Sequence, residues 1–197
     1  MTQTTESTVA SYVTDMLALE EHIENALTGQ IKDLAGESEH VRQLHVIRDN
    51  CAMHARALKA IADRREQSGQ GVAELAKKAV SSVLGVGAAA IDFLRTEKVP
   101  KMLRDDYAAL SLATIGYVML HTTALSLGDE EVAELAHRHL KAHARSVMTL
   151  HNIIPGTVVR FLQSDGLPAS EAVLPQIADN LDEVWRSSAG VPEVNEG

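Results

Sequence analysis

The chain is short of the residues that build several common kinds of protein. It has one cysteine, Cys51, so no intrachain disulfide is possible. Aromatic residues make up 3% of the sequence and there are five prolines. Alanine, leucine and valine fill the apolar positions instead, which favours helices over a β-sandwich. Lysine and arginine number 18 against 27 acidic residues, a net charge of −9. That balance argues against binding to a phosphate backbone, because such domains usually carry a basic face. The densest basic positions, Arg64, Arg65, Lys77 and Lys78, read as an ordinary solvated face. Nucleic acid is therefore not an expected partner. The uncharged run at residues 79–91 is too short and too rich in glycine to span a bilayer, which takes roughly 20 apolar residues. No membrane insertion is expected. The first residues, "MTQTTESTVASYV", carry neither a basic segment nor an apolar signal core, and a cytoplasmic location is expected.

What is present is helical periodicity. Val9, Val13, Met16, Ile23, Leu27, Ile31 and Leu34 recur at spacings of three and four and predict a helix over about 7–34, ended by Gly36. Leu44, Ile47, Leu58 and Ile61 predict a second over about 38–67, capped by Ser38 and closed by Gly69 and Gly71. A third is predicted from about Pro100 to Leu127, with Leu103, Leu110, Ala113, Tyr117 and Ala124 inward. Gly128 stops it. Asp129 caps a fourth, whose face is Val132, Ala136, Leu140, Val147, Leu150 and Ile154. Pro155-Gly156 is expected to kink or break that helix. A fifth helix is predicted over about 170–186, then a disordered tail over 188–197. The short–long–short pattern of connections implies two antiparallel hairpins joined by a crossover along the bundle. The expected fold is all-α: a ferritin-like four-helix bundle over about 7–163 with an added C-terminal helix, one domain over 1–187. A plain up-down bundle is the alternative.

Projection at 100° per residue places Glu20 inside the apolar stripe of the first helix. A carboxylate there is costly unless it is paired, protonated or bound to metal. Cys51 and His54 face inward on the second helix, and His143 lies near the stripe centre of the fourth, with His139 about 60° away. Tyr117, Asp106 and His121 are on the inner side of the third. Glu20 lies 16 residues before Gly36, Cys51 and His54 lie 15 and 18 after it, and His143 lies 15 after Gly128. Fifteen residues are about 22 Å, near the middle of a bundle about 42 Å long. Glu20, Cys51, His54 and His143 are therefore expected at one level, with Asp106 and His121 a turn or more away. His22, His40 and His137 read as solvent-facing.

Two stretches, "MLALEEHIENAL" (16–27) and "GYVMLHTTALSLGDEEVAELAHRHLKAH" (116–143), resemble the bacterial ferritin-like stress proteins typified by YciF. Glu20 followed by Ala26-Leu27, and Leu127-Gly128-Asp129-Glu130-Glu131, carry the resemblance, which spans about residues 8–155. It implies a two-metal site in the bundle. The departures fall on that site. The expected third-helix glutamate is Leu110, the fourth-helix acidic pair is Ala142-His143, and "CAMHA" puts Cys51 where the second-helix glutamate belongs. Glu20 and His54 remain. Two irons need bridging carboxylates, and one glutamate cannot both bridge them and balance their charge, so a di-iron ferroxidase is not expected.

The donors that remain would suit no metal or one metal ion, Zn²⁺ or iron and less readily copper, held by Glu20, Cys51, His54 and His143. The plainer alternative is a hydrogen-bonded polar core, with Cys51 a small buried apolar residue. No Ser-His-Asp or Cys-His nucleophile arrangement is evident. The leading reading is a non-catalytic, stress-related bundle that acts through assembly or partner binding. Its rival is a metal-binding bundle with a mononuclear or unusual site, for oxidative chemistry or metal storage. A small-molecule binder using the bundle interior is a third. Apolar surface in the crossover and on the helix bearing Trp185 predicts a homo-oligomer.

Overall fold

The computed structural model describes residues 4–34, 38–67 and 98–188. The expected helix stops at Gly36, Gly69 and Gly71, the crossover itself and nearly all of the expected disordered tail lie outside these residues.

Helix α1 spans Thr5–Asp33 and begins two residues before the predicted start. Thr4 and Ser7 form a reciprocal cap, each side chain accepting from the other's backbone N–H, at 3.1 Å and 2.9 Å. Helix α2 spans Glu39–Gln67. The Ser38 hydroxyl, expected to cap it, instead lies 3.0 Å from His40 Nε2. Helices α3 (Lys98–Ser126) and α4 (Glu130–Ser164) form a tight hairpin. Gly128 sits at φ 75°, in the left-handed region that favours glycine. The Asp129 N–H donates back to the Ala124 carbonyl at 2.8 Å, closing the turn, and the Asp129 carboxylate caps Val132. After a 3₁₀ turn at Glu171–Val173, α5 spans Leu174–Ser188.

Pro155 does not break α4, which runs on through it to Ser164. Residues on both sides, Leu150 before and Thr157 and Val159 after, are buried, so packing holds both halves of the helix. The lost backbone donor is the smaller term.

Two sets of contacts define the topology. Gln30 near the end of α1 donates to Asp106 near the start of α3, at 2.8 Å. Arg64 and Arg65 at the end of α2 reach Glu131 and Asp129 at the α3–α4 turn, the second pair at 2.7 Å. These arginines are thus ion-paired and form no basic patch. The end of α2 and the start of α3 therefore lie at opposite ends of the bundle. The plain up-down alternative, which needs them at the same end, is excluded. The order is up-down-down-up, and every neighbouring pair (α1·α2, α1·α3, α2·α4, α3·α4) is antiparallel.

The predicted stripes meet in one core: Val9, Val13, Leu27, Leu44, Ile47, Leu58, Leu103, Leu110, Leu120 and Leu150 are all essentially inaccessible. Each contributes about 1.5–3 kcal/mol by burial. At the α1–α3 crossing Gly116 permits close approach, since a Cβ there would stand 2.5 Å from Met16 Sδ. Helix α5 is held more loosely. None of its residues is buried, and Trp185 rests its ring edge-on against His151 with centroids 5.7 Å apart.

One surface feature lies outside the sequence-based expectation. Between Tyr107 and Gly128 there is no Asp, Glu, Lys or Arg, so the longer uncharged stretch lies in α3 and not at 79–91. By length and composition α3 could cross a bilayer. Its inner residues Leu110, Ala113, Leu120 and Ala124 are nevertheless core residues of the bundle.

Candidate metal centre

Four helices each send polar side chains into the middle of this apolar core. Glu20 comes from α1, Cys51 and His54 from α2, Tyr117 from α3, and His139 and His143 from α4. Glu20 is 0% exposed, His54 1%, His143 2% and His139 6%. The apolar stripes on either side fix these positions, because a helix that buries Met16 and Ile23 must also bury Glu20 between them.

All four residues expected from the sequence come together. His143 Nε2 lies 2.7 Å and His54 Nδ1 3.0 Å from the same oxygen, Glu20 Oε1. The Tyr117 hydroxyl lies 2.6 Å from that oxygen too. A carboxylate only accepts, so His143 Nε2–H, His54 Nδ1–H and Tyr117 O–H all donate to it. The Tyr117 oxygen then accepts from His139 Nδ1–H at 3.0 Å, and this sets the His139 tautomer. His54 Nδ1 and His143 Nε2 are 3.3 Å apart, but both protons point at Glu20 and neither bonds the other. Cys51 completes the cluster: Glu20, Cys51 and His143 place ligand atoms within 4.8 Å of one another, as do Glu20, His54 and His139.

The charges follow from the packing. Burial pushes the Glu20 carboxyl up, but the hydrogen bonds from His143 and His54 together with their electrostatic attraction for the carboxylate outweigh it and hold it down at about 2. Burial, with the Glu20 charge beside it, pushes both the Cys51 thiol and the Tyr117 phenol upward. Cys51 is therefore a neutral thiol here and no nucleophile. His139 is held down at about 3, first by burial and then by His54, whose ring stacks on it at 3.9 Å.

Sequence reasoning placed Tyr117 inward and His139 about 60° from the stripe centre, and left both out of the candidate site. A usable signal was present. Each lies 11 residues from Gly128 on opposite arms of one hairpin, which puts them at the same level, and His139 and His143 are one helical turn apart. Asp106 and His121 stay away from the cluster, as expected: Asp106 accepts from Gln30, and His121 Nδ1–H donates to the Ala133 carbonyl at 2.8 Å. His22 and His40, expected in solvent, are half-buried, while His137 is exposed.

The cluster does not fit a two-metal site but fits a single ion. Its only carboxylate is Glu20; Asp106, the other buried acid among the described residues, is committed elsewhere. Leu110, fully buried, stands where the implied two-metal site needs a third-helix acid. A di-metal site does not fit. A single ion does. Tetrahedral coordination at 2.0–2.1 Å sets ligand atoms about 3.3–3.4 Å apart, against 3.3 Å between His54 Nδ1 and His143 Nε2. The two shorter oxygen–nitrogen distances, 3.0 Å and 2.7 Å, would open by roughly 0.3 Å and 0.6 Å, with both histidines deprotonated toward the metal. Two buried atoms, Glu20 Oε2 and His143 Nδ1, have no hydrogen-bond partner among the described residues.

No family model matches the chain, and no curated protein matches it. The solved structures include a protein of the same fold, the crystal structure of protein XCC3681 from Xanthomonas campestris pv. campestris. It aligns with TM-score 0.63 at 17% identity, over 83% of this chain and 99% of the other. At that identity the likeness concerns the fold alone.

Proposed function

We propose that this chain is a ferritin-like helical protein that holds one buried transition-metal ion, with Glu20, His54 and His143 as ligands and Cys51 or His139 completing the set. The observation that carries the reading is the convergence of two imidazole nitrogens and a carboxylate oxygen on one buried point, with further donors around it. Mixed nitrogen, oxygen and sulfur donors suit Zn²⁺ first and iron second. An inward hydrophobic shell would keep such an ion from solvent, which suits holding a metal better than turning over a large substrate.

The second reading is the non-catalytic one, a stress-related bundle that works through assembly or partner contacts and has lost its metal. Its support is that Glu20 Oε1 already accepts three hydrogen bonds, so the cluster can persist as a polar core. The stress setting rests on the resemblance to the YciF-type proteins.

Metal analysis of protein purified without chelator separates the two. The expected result is about one Zn or Fe per chain, lost in both Glu20→Gln and His143→Ala. Metal binding to the folded state alone raises the melting temperature, so a chelator should lower it in wild type and in neither variant. Absence of stoichiometric metal after reconstitution, together with no chelator effect, would leave the polar-core reading standing.

A further inference from the structure

We propose that the outward face of α3 joins two copies of this chain as an antiparallel helix pair. The inference is independent of the metal reading and rests on a different part of the molecule.

Ala108, Leu112, Ile115, Met119, Thr122 and Ser126 are all exposed and recur at spacings of four, three, four, three and four. This is the heptad period of a helix that packs against another helix, repeated on the side of α3 turned away from its own bundle. Leu112 is 56% exposed, Ile115 58% and Met119 49%. A water-soluble helix gains nothing from such a stripe on its own, and contiguous exposed apolar surface marks a contact.

Charge and pattern together point to a second copy as the occupant. The chain carries −9 overall, so copies repel except where they meet on a charge-free surface, and α3 has no ionisable carboxylate, lysine or arginine from Tyr107 to Gly128. The stripe is also symmetric about Tyr117. In an antiparallel pair centred there, Ile115 meets Met119 of the second copy, Leu112 meets Thr122, and Ala108 meets Ser126. Each layer then joins a larger side chain to a smaller or more flexible one, and the helix dipoles oppose. A parallel pair would set Leu112 on Leu112 and Thr122 on Thr122. A bilayer is disfavoured as occupant, since the stripe has no Lys or Arg to reach headgroups and anionic lipid repels an acidic chain.

The test is sedimentation of the full chain from about 1 µM to about 200 µM, a range that brackets micromolar affinity. The expected result is a mass rising to twice 21.3 kDa. Ile115→Glu sets like charges near the two-fold axis and should raise the dissociation constant about 100-fold or more, with an unchanged circular dichroism spectrum. Should that variant not fold, Thr122→Glu at an already polar position carries the same test. Register is read from disulfides. Leu112→Cys and Thr122→Cys proteins should crosslink to each other when mixed and oxidised and neither to itself, while Cys51 is buried and silent. A wild type that stays monomeric throughout overturns the proposal, whether lipid vesicles, another protein or the chain's own remaining residues take the face. So does a dimer that survives Ile115→Glu, or Leu112→Cys crosslinking to itself.

Discussion

The middle of the bundle and the outside of α3 are inverted relative to each other. The core at its midpoint is polar, with a carboxylate, three histidines and a tyrosine sealed from solvent. The outer face of α3 is apolar and exposed over several turns. Folding a lone chain rewards neither arrangement: buried polar groups must recover their desolvation, and exposed leucine gains nothing. The difference is that the inner cluster has largely recovered its cost inside the chain, through three hydrogen bonds to one oxygen. The outer face has no comparable compensation among the described residues. Substitutions inside should therefore change stability strongly, and substitutions outside should hardly change it.

The largest effect is expected at Glu20. Glu20→Leu removes the acceptor shared by His54, His143 and Tyr117 and leaves three buried donors unmet. Removing one partner of a buried charged network costs about 3–5 kcal/mol. Glu20→Gln keeps the shape and one acceptor oxygen, and should cost less than half as much in metal-free protein. Urea titration of the two variants beside wild type, all with chelator, measures both. Near-equal stabilities of wild type and Glu20→Leu would mean that the polar cluster is not the structural unit described above.

Acid should come next. In metal-free protein, the Glu20 carboxyl titrates near 4.5 when unfolded and about 2 when folded. Its stabilisation is complete above about pH 4.5 and is lost as pH falls toward about 2. His139 titrates near 6.5 when unfolded and about 3 when folded. The unfolded chain binds that proton first, so stability falls as pH drops from about 6.5 to about 3. Each contributes up to about 1.4 kcal/mol per pH unit within its window. Between pH 6.5 and 4.5 only His139 of these two acts, so His139→Gln, which can still donate to Tyr117, should flatten the slope there. An unchanged slope in that variant would assign the acid sensitivity to another group.

The bundle was legible because its signal repeats. Glu20 could be placed inside from Met16 and Ile23 alone, and the common level of Glu20, Cys51, His54 and His143 followed from counting residues to two turns. Tyr117 and His139 were harder. Tyrosine in an apolar stripe reads as core, and its role depends on a hydroxyl whose partners come from two other helices. The outer stripe of α3 escaped for a related reason: Leu112, Ile115 and Met119 look like core residues in a helix that is apolar all round, and only the packed bundle decides which side faces out. The expected break at Pro155 does not occur because local backbone preference is outweighed by the burial of Leu150, Thr157 and Val159 on either side of it.

A smaller effect is expected where the cluster is least saturated. Tyr117→Phe keeps the ring in the core and deletes the hydroxyl that links His139 to Glu20. Glu20 retains two donors, and His139 loses its acceptor. The expected cost is about 1–2 kcal/mol, with no change in metal stoichiometry, since the hydroxyl is not among the proposed ligands. A Tyr117→Phe protein that released its metal would move Tyr117 into the coordination set.

The smallest effect should come from the outer face, and it tests the comparison most directly. Ile115 is as large and apolar as any core residue, yet it is 58% exposed in the chain. Ile115→Glu therefore removes less than half of one side chain's burial from the folded monomer, and glutamate is at least as good a helix former as isoleucine. The unfolding free energy, measured at protein concentrations where the wild type is monomeric, should change by less than about 1 kcal/mol. The same substitution at the facing inner position, Leu110→Glu, would bury a charge among fully inaccessible neighbours and should prevent folding. A large loss from Ile115→Glu under monomeric conditions would mean that the chain itself covers this face. The inversion between core and surface would then be only apparent.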